Sequence, residues 1–239
     1  MQPFEIFQLT HAHYEGNYIW CTAFHDPYLY KIDVENKTIE EVALILDESD
    51  KLSSFILILS YKDYFIFIPS GQDILIMMNR NTLKKEKYHI PNKLNLDESY
   101  QKLTFFFANG FIHKDMLYCV GTIFKGILKF DLINKKAVII DEFLNNLKIN
   151  SSSSVVFNYN YVKFEDKVYF PFINTNAILE LSLNDDSQIV HYVGDKVQRF
   201  FSAARNGKDL WLAPSTLSNG NIVKFNTETH TFKQIKVSY

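Results

Sequence analysis

The histidines His11 and His13 form the spacing in this sequence that comes closest to a metal-binding motif. On a β-strand, residues two apart share a face, so both imidazoles could reach one ion. Zinc and iron sites usually add a third protein ligand, commonly a carboxylate or a cysteine. No acidic residue occupies the matching positions of the repeats described below. We therefore expect no metal here and keep both histidines as candidate ligand-binding residues.

Sequence motifs of common catalytic sites are missing. The chain has no Gly-x-Ser-x-Gly elbow, no His-Glu-x-x-His zinc motif and, with only 8 glycines, no dedicated phosphate-binding loop. Glycosidases need two carboxylates that flank the sugar bond. Asp63, Asp115 and Asp166 recur at matching repeat positions, which indicates turn residues, and only Asp26 and Asp73 depart from that pattern. We expect no catalytic residue and no cofactor.

Composition and charge limit the class of protein. A net charge of −2 argues against a nucleic-acid partner or an anionic membrane surface. No run of 18 apolar residues is present, and the N-terminus lacks a basic region followed by an apolar one, so the sequence predicts a cytoplasmic protein. Cys21 and Cys119 directly follow Trp20 and Tyr118, which occupy the same position in two copies of a sequence repeat. Other copies hold Phe or Leu at the place of the cysteine, so we expect two buried thiols and no disulfide.

A degenerate repeat returns five times, with successive copies about 42 to 52 residues apart. Periods of this length indicate stacked or radial supersecondary units. Each copy contains four short strand candidates rich in Val, Ile, Phe and Tyr, separated by turns rich in Asn, Asp, Gly and Thr. One short helical fragment is predicted at 141–147. Each copy closes its third strand with a polar residue: Asp33, Asn79, Asp131, Ser182 and Asn226.

Four antiparallel strands per unit, repeated along the whole chain, resemble the blades of the β-propeller superfamily. The chain carries no Trp-Asp or double-glycine signature of a particular subfamily. The resemblance implies an all-β fold, a single domain of five four-stranded blades at about 4–46, 52–91, 103–141, 153–193 and 197–238. We expect a closed five-bladed monomer. The alternatives are an open arc that pairs with another copy, or a ring in which Phe4 to Gln8 joins the last blade as its outermost strand.

The innermost strands supply the candidate site residues, because in propellers these strands line a central channel. Alignment on Trp20, Ile66, Tyr118, Tyr169 and Trp211 places a mostly polar set nine residues upstream: His11, Leu57, Asn109, Asn160 and Ser202. Near the exits of the same strands stand His13, His113 and Arg205. This set could contact a ligand or line a water-filled structural channel.

The loops that join the second and third strands are the other candidate region, because a rigid scaffold positions such loops for binding. They mix aromatic residues with Asn, Ser and Thr, which suit sugars and peptide backbones but also simply form turns. The longer loops at 92–102 and 142–154 belong to the same hypothesis. Trp20 and Trp211, at one repeat position, are predicted to pack between blades.

The function predicted from these patterns is a non-enzymatic binding module. It would engage a protein, a peptide or a glycan through its loop face and channel mouth. Loops that differ from blade to blade favour one asymmetric site over a repeated sugar pocket. The alternative is a lyase or hydrolase with a histidine-containing site at the central channel.

Overall fold

The computed structural model describes residues 9–23, 26–46, 54–70, 74–90, 107, 109–121, 126–148, 157, 160–215 and 220–236. Within these ranges the chain forms five antiparallel sheets, each made of four strands that follow one another in sequence. The prediction of an all-β fold with five four-stranded blades is therefore confirmed. In the part of the chain that is described, no helix is long and apolar enough to cross a membrane.

The strands of each blade run in a simple meander. Blade one contains β1 Leu9–Glu15, β2 Tyr18–Ala23, β3 Tyr28–Asp33 and β4 Thr38–Leu44. Blade two contains β5 Ser54–Tyr61, β6 Tyr64–Ser70, β7 Ile74–Asn79 and β8 Lys85–His89. Blade three contains β9 Asn109–His113, β10 Met116–Val120, β11 Ile127–Asp131 and β12 Lys136–Ile140. Blade four contains β13 Val162–Phe164, β14 Lys167–Pro171, β15 Ala177–Ser182 and β16 Gln188–Tyr192. Blade five contains β17 Phe200–Asn206, β18 Asp209–Pro214, β19 Ile222–Asn226 and β20 Phe232–Ile235.

The chain divides into two compact units. The first consists of Met1–Cys119 and Lys129–Val138, and the second of Val120–Leu128 and Ile139–Tyr239. Blades one and two belong to the first unit and blades four and five to the second. A 3-10 helix at Glu142–Asn146 lies in the second unit, within the segment where the sequence predicts a helical fragment. The segment Phe4 to Gln8, predicted in one alternative to join the last blade, lies outside the described residues.

The turn between the first two strands has the same geometry in every blade. Its first residue has a positive φ between 50° and 60° in all five blades. The carbonyl of its second residue accepts a hydrogen bond, 2.7 to 3.0 Å long, from the amide just after the third strand. These five donor and acceptor pairs are Val34 to Asn17, Arg80 to Asp63, Leu132 to Asp115, Leu183 to Asp166, and Thr227 to Lys208.

The turn between the third and fourth strands explains the closing polar residue. Asp33 Oδ1 accepts hydrogen bonds from the amides of Glu35 at 3.0 Å and Asn36 at 2.9 Å. Asn79, Asp131 and Asn226 accept the equivalent pair of amides in their own blades. A short side-chain oxygen that binds the backbone two and three residues on stabilises a tight turn. The recurrent Asp and Asn residues are thus part of the scaffold.

Aromatic packing joins the first two blades within the first unit. The ring of Trp20 lies 4.9 Å from that of Phe65, centroid to centroid, and packs against a buried cluster that includes Leu29, Ile58 and Phe67. The prediction that Trp20 packs between blades is confirmed. Trp211 differs, because it is only half-buried and its ring faces the ammonium of Lys224 at 5.6 Å.

The two cysteines are buried free thiols, as expected. Both side chains have 0% exposure and belong to the apolar interior. Burial raises the pKa of the Cys21 thiol to about 11, which makes that thiol a poor nucleophile and a poor metal ligand near neutral pH. Burial also raises the pKa of Cys119.

Candidate functional site

His11 lies on β1 and accepts a hydrogen bond from the backbone of the next blade. Its Nδ1 accepts a hydrogen bond of 3.3 Å from the amide of Ile58 on β5. Burial, together with the neighbouring His13, lowers the pKa of His11 below 6.5, which favours the neutral ring that this acceptor role requires. His13 packs edge-on against Phe65 at 6.1 Å, and burial lowers its pKa as well. Both histidines therefore have structural contacts that sequence spacing alone did not reveal.

We expect the stability of the protein to fall below pH 6.5 because of His11. The pKa of this imidazole is lower in the folded chain than in the unfolded one, so the unfolded state binds the extra proton. The stabilisation is complete above pH 6.5 and is lost as the pH falls through the folded pKa. Urea unfolding between pH 8 and pH 5 measures the slope. The variant His11→Asn keeps a hydrogen-bond acceptor that does not titrate, and should show a shallower slope. Equal slopes would contradict this role.

The remaining channel candidates divide between the two units. In the first unit, Asn109 and His113 lie on β9, half-buried, and Asn109 Oδ1 accepts a hydrogen bond of 2.8 Å from the amide of Gly110. In the second unit, Asn160 donates a hydrogen bond of 2.9 Å to the hydroxyl of Ser202. The ligand-contacting role of this set stays a prediction.

One detail of the alignment differs from the strands that the structure shows. Asn160 is exposed and precedes β13, which begins only at Val162, so it does not lie inside an inner strand. Arg205 lies near the end of β17, as the alignment predicts, and is exposed, with its guanidinium carbon 4.3 Å from the ring centroid of Phe164. In blades one, two and five the strands agree with the alignment, because their first strands share a register shift just before His11, Leu57 and Ser202.

The loops predicted to bind a partner lie mostly outside the described residues. Where the loops are described, their polar side chains form hydrogen bonds with neighbouring groups of the same blade. Asp26 accepts hydrogen bonds from the Tyr28 amide at 3.0 Å and from the Tyr30 hydroxyl at 2.7 Å. Asn176 donates to the carbonyl of Gly194 at 3.4 Å. These contacts favour the turn-forming role over the binding role for Asp26 and Asn176.

A cluster that the sequence analysis did not single out lies in the second unit. It consists of Glu180 on β15, His191 on β16 and His230 in the turn before β20. Glu180 Oε2 lies 2.8 Å from Nε2 of His191 and 3.5 Å from Nε2 of His230. One ligand-type atom from each of the three residues lies within 4.8 Å of the other two. We call these three residues the Glu-His-His cluster.

The second carboxylate oxygen of the cluster has a different partner. Glu180 Oε1 accepts a hydrogen bond of 2.5 Å from Nζ of Lys167. Burial alone would raise the pKa of Glu180, but the hydrogen bonds from His191 and Lys167 hold it at about 2. The carboxylate is therefore ionised at neutral pH. Phe225 supports both imidazoles, with centroids 5.0 Å from His191 and 6.1 Å from His230.

A shallow pocket of about 190 Å³ lies on blade five beside the same turn. Phe232 and Lys233 of β20 form part of its wall, and Asp209 and Lys224, ion-paired at 2.7 Å, form another part. Its remaining lining residues are Asn226, Thr229 and Thr231. The last two of these flank His230 in the chain, so one turn contributes to both the pocket and the Glu-His-His cluster.

The repeat contains the signal that could have found the cluster. Counting back two residues from the closing polar residue gives Lys31, Met77, Lys129, Glu180 and Lys224. In blades one, three and five this lysine covers the aromatic residue of the second strand. Blade four reverses the charge at this position. His191 similarly replaces the Tyr88, Ile140 and Ile235 of other blades, and His230 occupies a positive-φ position that holds Lys37 in blade one.

Comparisons with known proteins find similarity in structure alone. No protein-family model and no curated protein matches the sequence. Virginiamycin B lyase from Staphylococcus aureus, solved as a catalytically inactive variant with quinupristin, shares 13% identity at a TM-score of 0.61, covering 97% of this chain and 71% of that one. BamB from Moraxella catarrhalis shares 13% identity at a TM-score of 0.61, covering 92% of this chain and 61% of that one. YCF48 from Cyanidioschyzon merolae shares 13% identity at a TM-score of 0.64, covering 98% of this chain and 74% of that one.

These likenesses identify the fold as a β-propeller, which the repeat predicted. The chain spans about three fifths of the length of BamB. At 13% identity the likeness concerns the fold and not the activity, because propeller folds carry unrelated functions.

Proposed function

We propose that this β-propeller is a binding module that takes up an extended protein segment along β20. The observation that carries the proposal is the exposure of this strand: all four residues of Phe232–Ile235 are exposed, and the first two, Phe232 and Lys233, line the blade-five pocket. Phe232 keeps 44% of its surface open to solvent. A strand that presents both its side chains and one backbone edge suits a partner in β-conformation.

The position of β20 in its sheet supports strand addition. Among the strands that the structure describes, the sheet order is β17, β18, β19 and β20, so β20 is the last of them and pairs with β19 on one side. The backbone groups on its other side point away from β19. Such an edge forms main-chain hydrogen bonds with an incoming strand, and neighbouring pockets then select its side chains.

The chemistry beside β20 favours an acidic or aromatic segment. The stretch from Thr231 to Lys236 carries Lys233 and Lys236 and no acidic residue. Phe232 offers an aromatic surface in the pocket wall, and Thr229 and Thr231 offer hydroxyls. The same set of groups suits a glycan, which remains the alternative ligand class. The loop face and channel mouth remain further candidates for contact with the partner.

Panning a displayed peptide library against the whole chain tests the proposal. We expect the selected peptides to bind the wild-type protein and to bind Phe232→Asp at least about tenfold more weakly, because a charge replaces the aromatic contact. Fluorescence polarisation with labelled peptides measures this ratio. Val138→Asp is the matched control, since Val138 is an exposed apolar residue on β12, the fourth strand of blade three.

Other outcomes decide against the proposal. Peptides that bind Phe232→Asp as tightly as wild type would place the binding surface away from β20. A library that gives no binder, together with a glycan array that gives one sensitive to Phe232→Asp, would replace the peptide by a glycan. No binder in either screen would contradict a binding function for β20.

A further inference from the structure

We propose that the Glu-His-His cluster is a binding site for a divalent transition-metal ion of the zinc type. The site is independent of the peptide-binding proposal, because it uses Glu180, His191 and His230 and not the β20 side chains. Two imidazole nitrogens and one carboxylate oxygen form a donor set typical of zinc sites that keep a fourth position open.

The distances fit a tetrahedral ion with small adjustments. Zinc bonds to nitrogen and oxygen are about 2.0 to 2.2 Å long, which places two ligand atoms of a tetrahedron about 3.4 Å apart. Glu180 Oε2 and His230 Nε2 are separated by 3.5 Å, close to this value. Glu180 Oε2 and His191 Nε2, at 2.8 Å, need to separate by about half an ångström. The imidazole centroids lie 4.6 Å apart, so both rings can face one ion.

The two oxygens of Glu180 have different roles, because one binds Lys167 and the other is available to the metal. Oε1 is held by Lys167, and Oε2 points to the two histidines. A ligating carboxylate whose other oxygen accepts a hydrogen bond is the usual arrangement around protein-bound metals. The Lys167 side chain is 47% exposed, so its ammonium can turn toward water and does not crowd the ion.

Burial makes two of the donors rigid and leaves the third accessible. The side chains of Glu180 and His191 are 3% and 10% exposed. Their strands are fixed by cross-strand pairing, in which His191 lies opposite Ile178 and Glu180 lies opposite Ile189. His230 is 40% exposed at the turn, which gives an ion an entry path and a solvent-facing coordination position. Phe225 lies against both rings and limits their rotation.

The donor types also select the ion. Imidazole nitrogen suits zinc, copper, nickel and iron, whereas magnesium and calcium require mostly oxygen ligands. With two nitrogens and one available carboxylate oxygen, the cluster should discriminate strongly against magnesium and calcium. A millimolar excess of either ion should therefore leave zinc binding unchanged.

Isothermal titration of the whole chain, prepared without a histidine tag, tests the site with zinc chloride as the probe. We expect one zinc ion per chain at low-micromolar affinity or tighter. The variants His230→Asn and His191→Ile should each bind zinc at least about tenfold more weakly, because each removes one of three ligands. Asn tolerates the positive φ of position 230, and Ile is the residue that blade five has at the place of His191, so both variants are designed to keep the fold.

Controls make every outcome informative. His89→Ala removes an exposed histidine outside the cluster and should bind zinc like wild type. Circular dichroism confirms that each variant is folded before titration. A wild-type protein that binds no zinc at about 100 μM, or two folded variants that bind it as tightly as wild type, would overturn the site and leave the cluster as a hydrogen-bonded ion pair.

Discussion

The variant Phe65→Ala should unfold with a free energy about 3–5 kcal/mol lower than wild type, the usual cost of removing a fully buried Phe ring. Phe65 lies on β6 with 0% exposure. The centroid of its ring lies 4.9 Å from that of Trp20 in blade one and 6.3 Å from that of Phe67 in its own blade. The guanidinium carbon of Arg80 lies 4.6 Å from the same centroid. Because it packs against both blades, the cavity left by Ala cannot close without moving one sheet against the other.

Urea denaturation followed by tryptophan fluorescence measures this loss, because Trp20 reports directly on the contact. Phe232→Ala is the matched control, since Phe232 lies half-exposed on the edge strand β20 and should change the free energy of unfolding by no more than about 1 kcal/mol. If the two variants lose the same free energy, the aromatic contact between the first two blades contributes no more than the exposed ring.

The fold could be predicted from the sequence because its repeating signals are local. A positive-φ turn residue, a closing Asp or Asn and the strands between them each require particular residue types within a few positions of the chain. Asp33 and Asn226 stabilise equivalent turns by the same two backbone hydrogen bonds, so the pattern that repeats in sequence repeats in geometry. Such signals survive when every other residue of a blade changes.

The packing partners of the two tryptophans could not be predicted in the same way. Trp20 and Trp211 share one repeat position, yet Trp20 packs against the ring of Phe65 in blade two, whereas Trp211 is half-buried and faces Lys224 of its own blade. Lys31 and Lys224 stand opposite the two tryptophans on the neighbouring strands, so the local pattern is the same in both blades. The difference lies in tertiary packing, which the local pattern of a blade does not specify.

The Glu-His-His cluster was missed because its members come from different elements. Glu180 and His191 are eleven residues apart and His230 belongs to another blade, so no short motif joins them. The pair His11 and His13 attracted attention through its spacing, but His11 is occupied by the Ile58 amide. The informative signal was instead the reversed charge at Glu180, where three other blades carry a lysine. It becomes visible only when the third strands are aligned on their closing residues.

The variant Glu180→Ala, measured in the presence of a chelator, should lose about 3 kcal/mol of unfolding free energy. Removing one partner of a buried ion pair typically costs about 3–5 kcal/mol, because the other partner keeps its charge without compensation. Glu180 is 3% exposed and interacts with Lys167 at 2.5 Å and His191 at 2.8 Å. The cost should lie near the lower end of the range, since Lys167 is half-exposed and its ammonium can reach water. Urea denaturation at pH 7.5 measures the loss.

An exposed ion pair on blade five provides the matched control for Glu180→Ala. Lys208 and Glu228 approach to 2.6 Å with side chains 68% and 57% exposed, so Glu228→Ala should cost no more than about 0.5 kcal/mol. Adding Lys167→Met to each variant completes a double-mutant cycle, in which Lys167 should couple to Glu180 and not to Glu228. If Glu180→Ala costs as little as Glu228→Ala, the buried carboxylate adds no stability without a metal. The reversed charge of blade four would then serve binding alone.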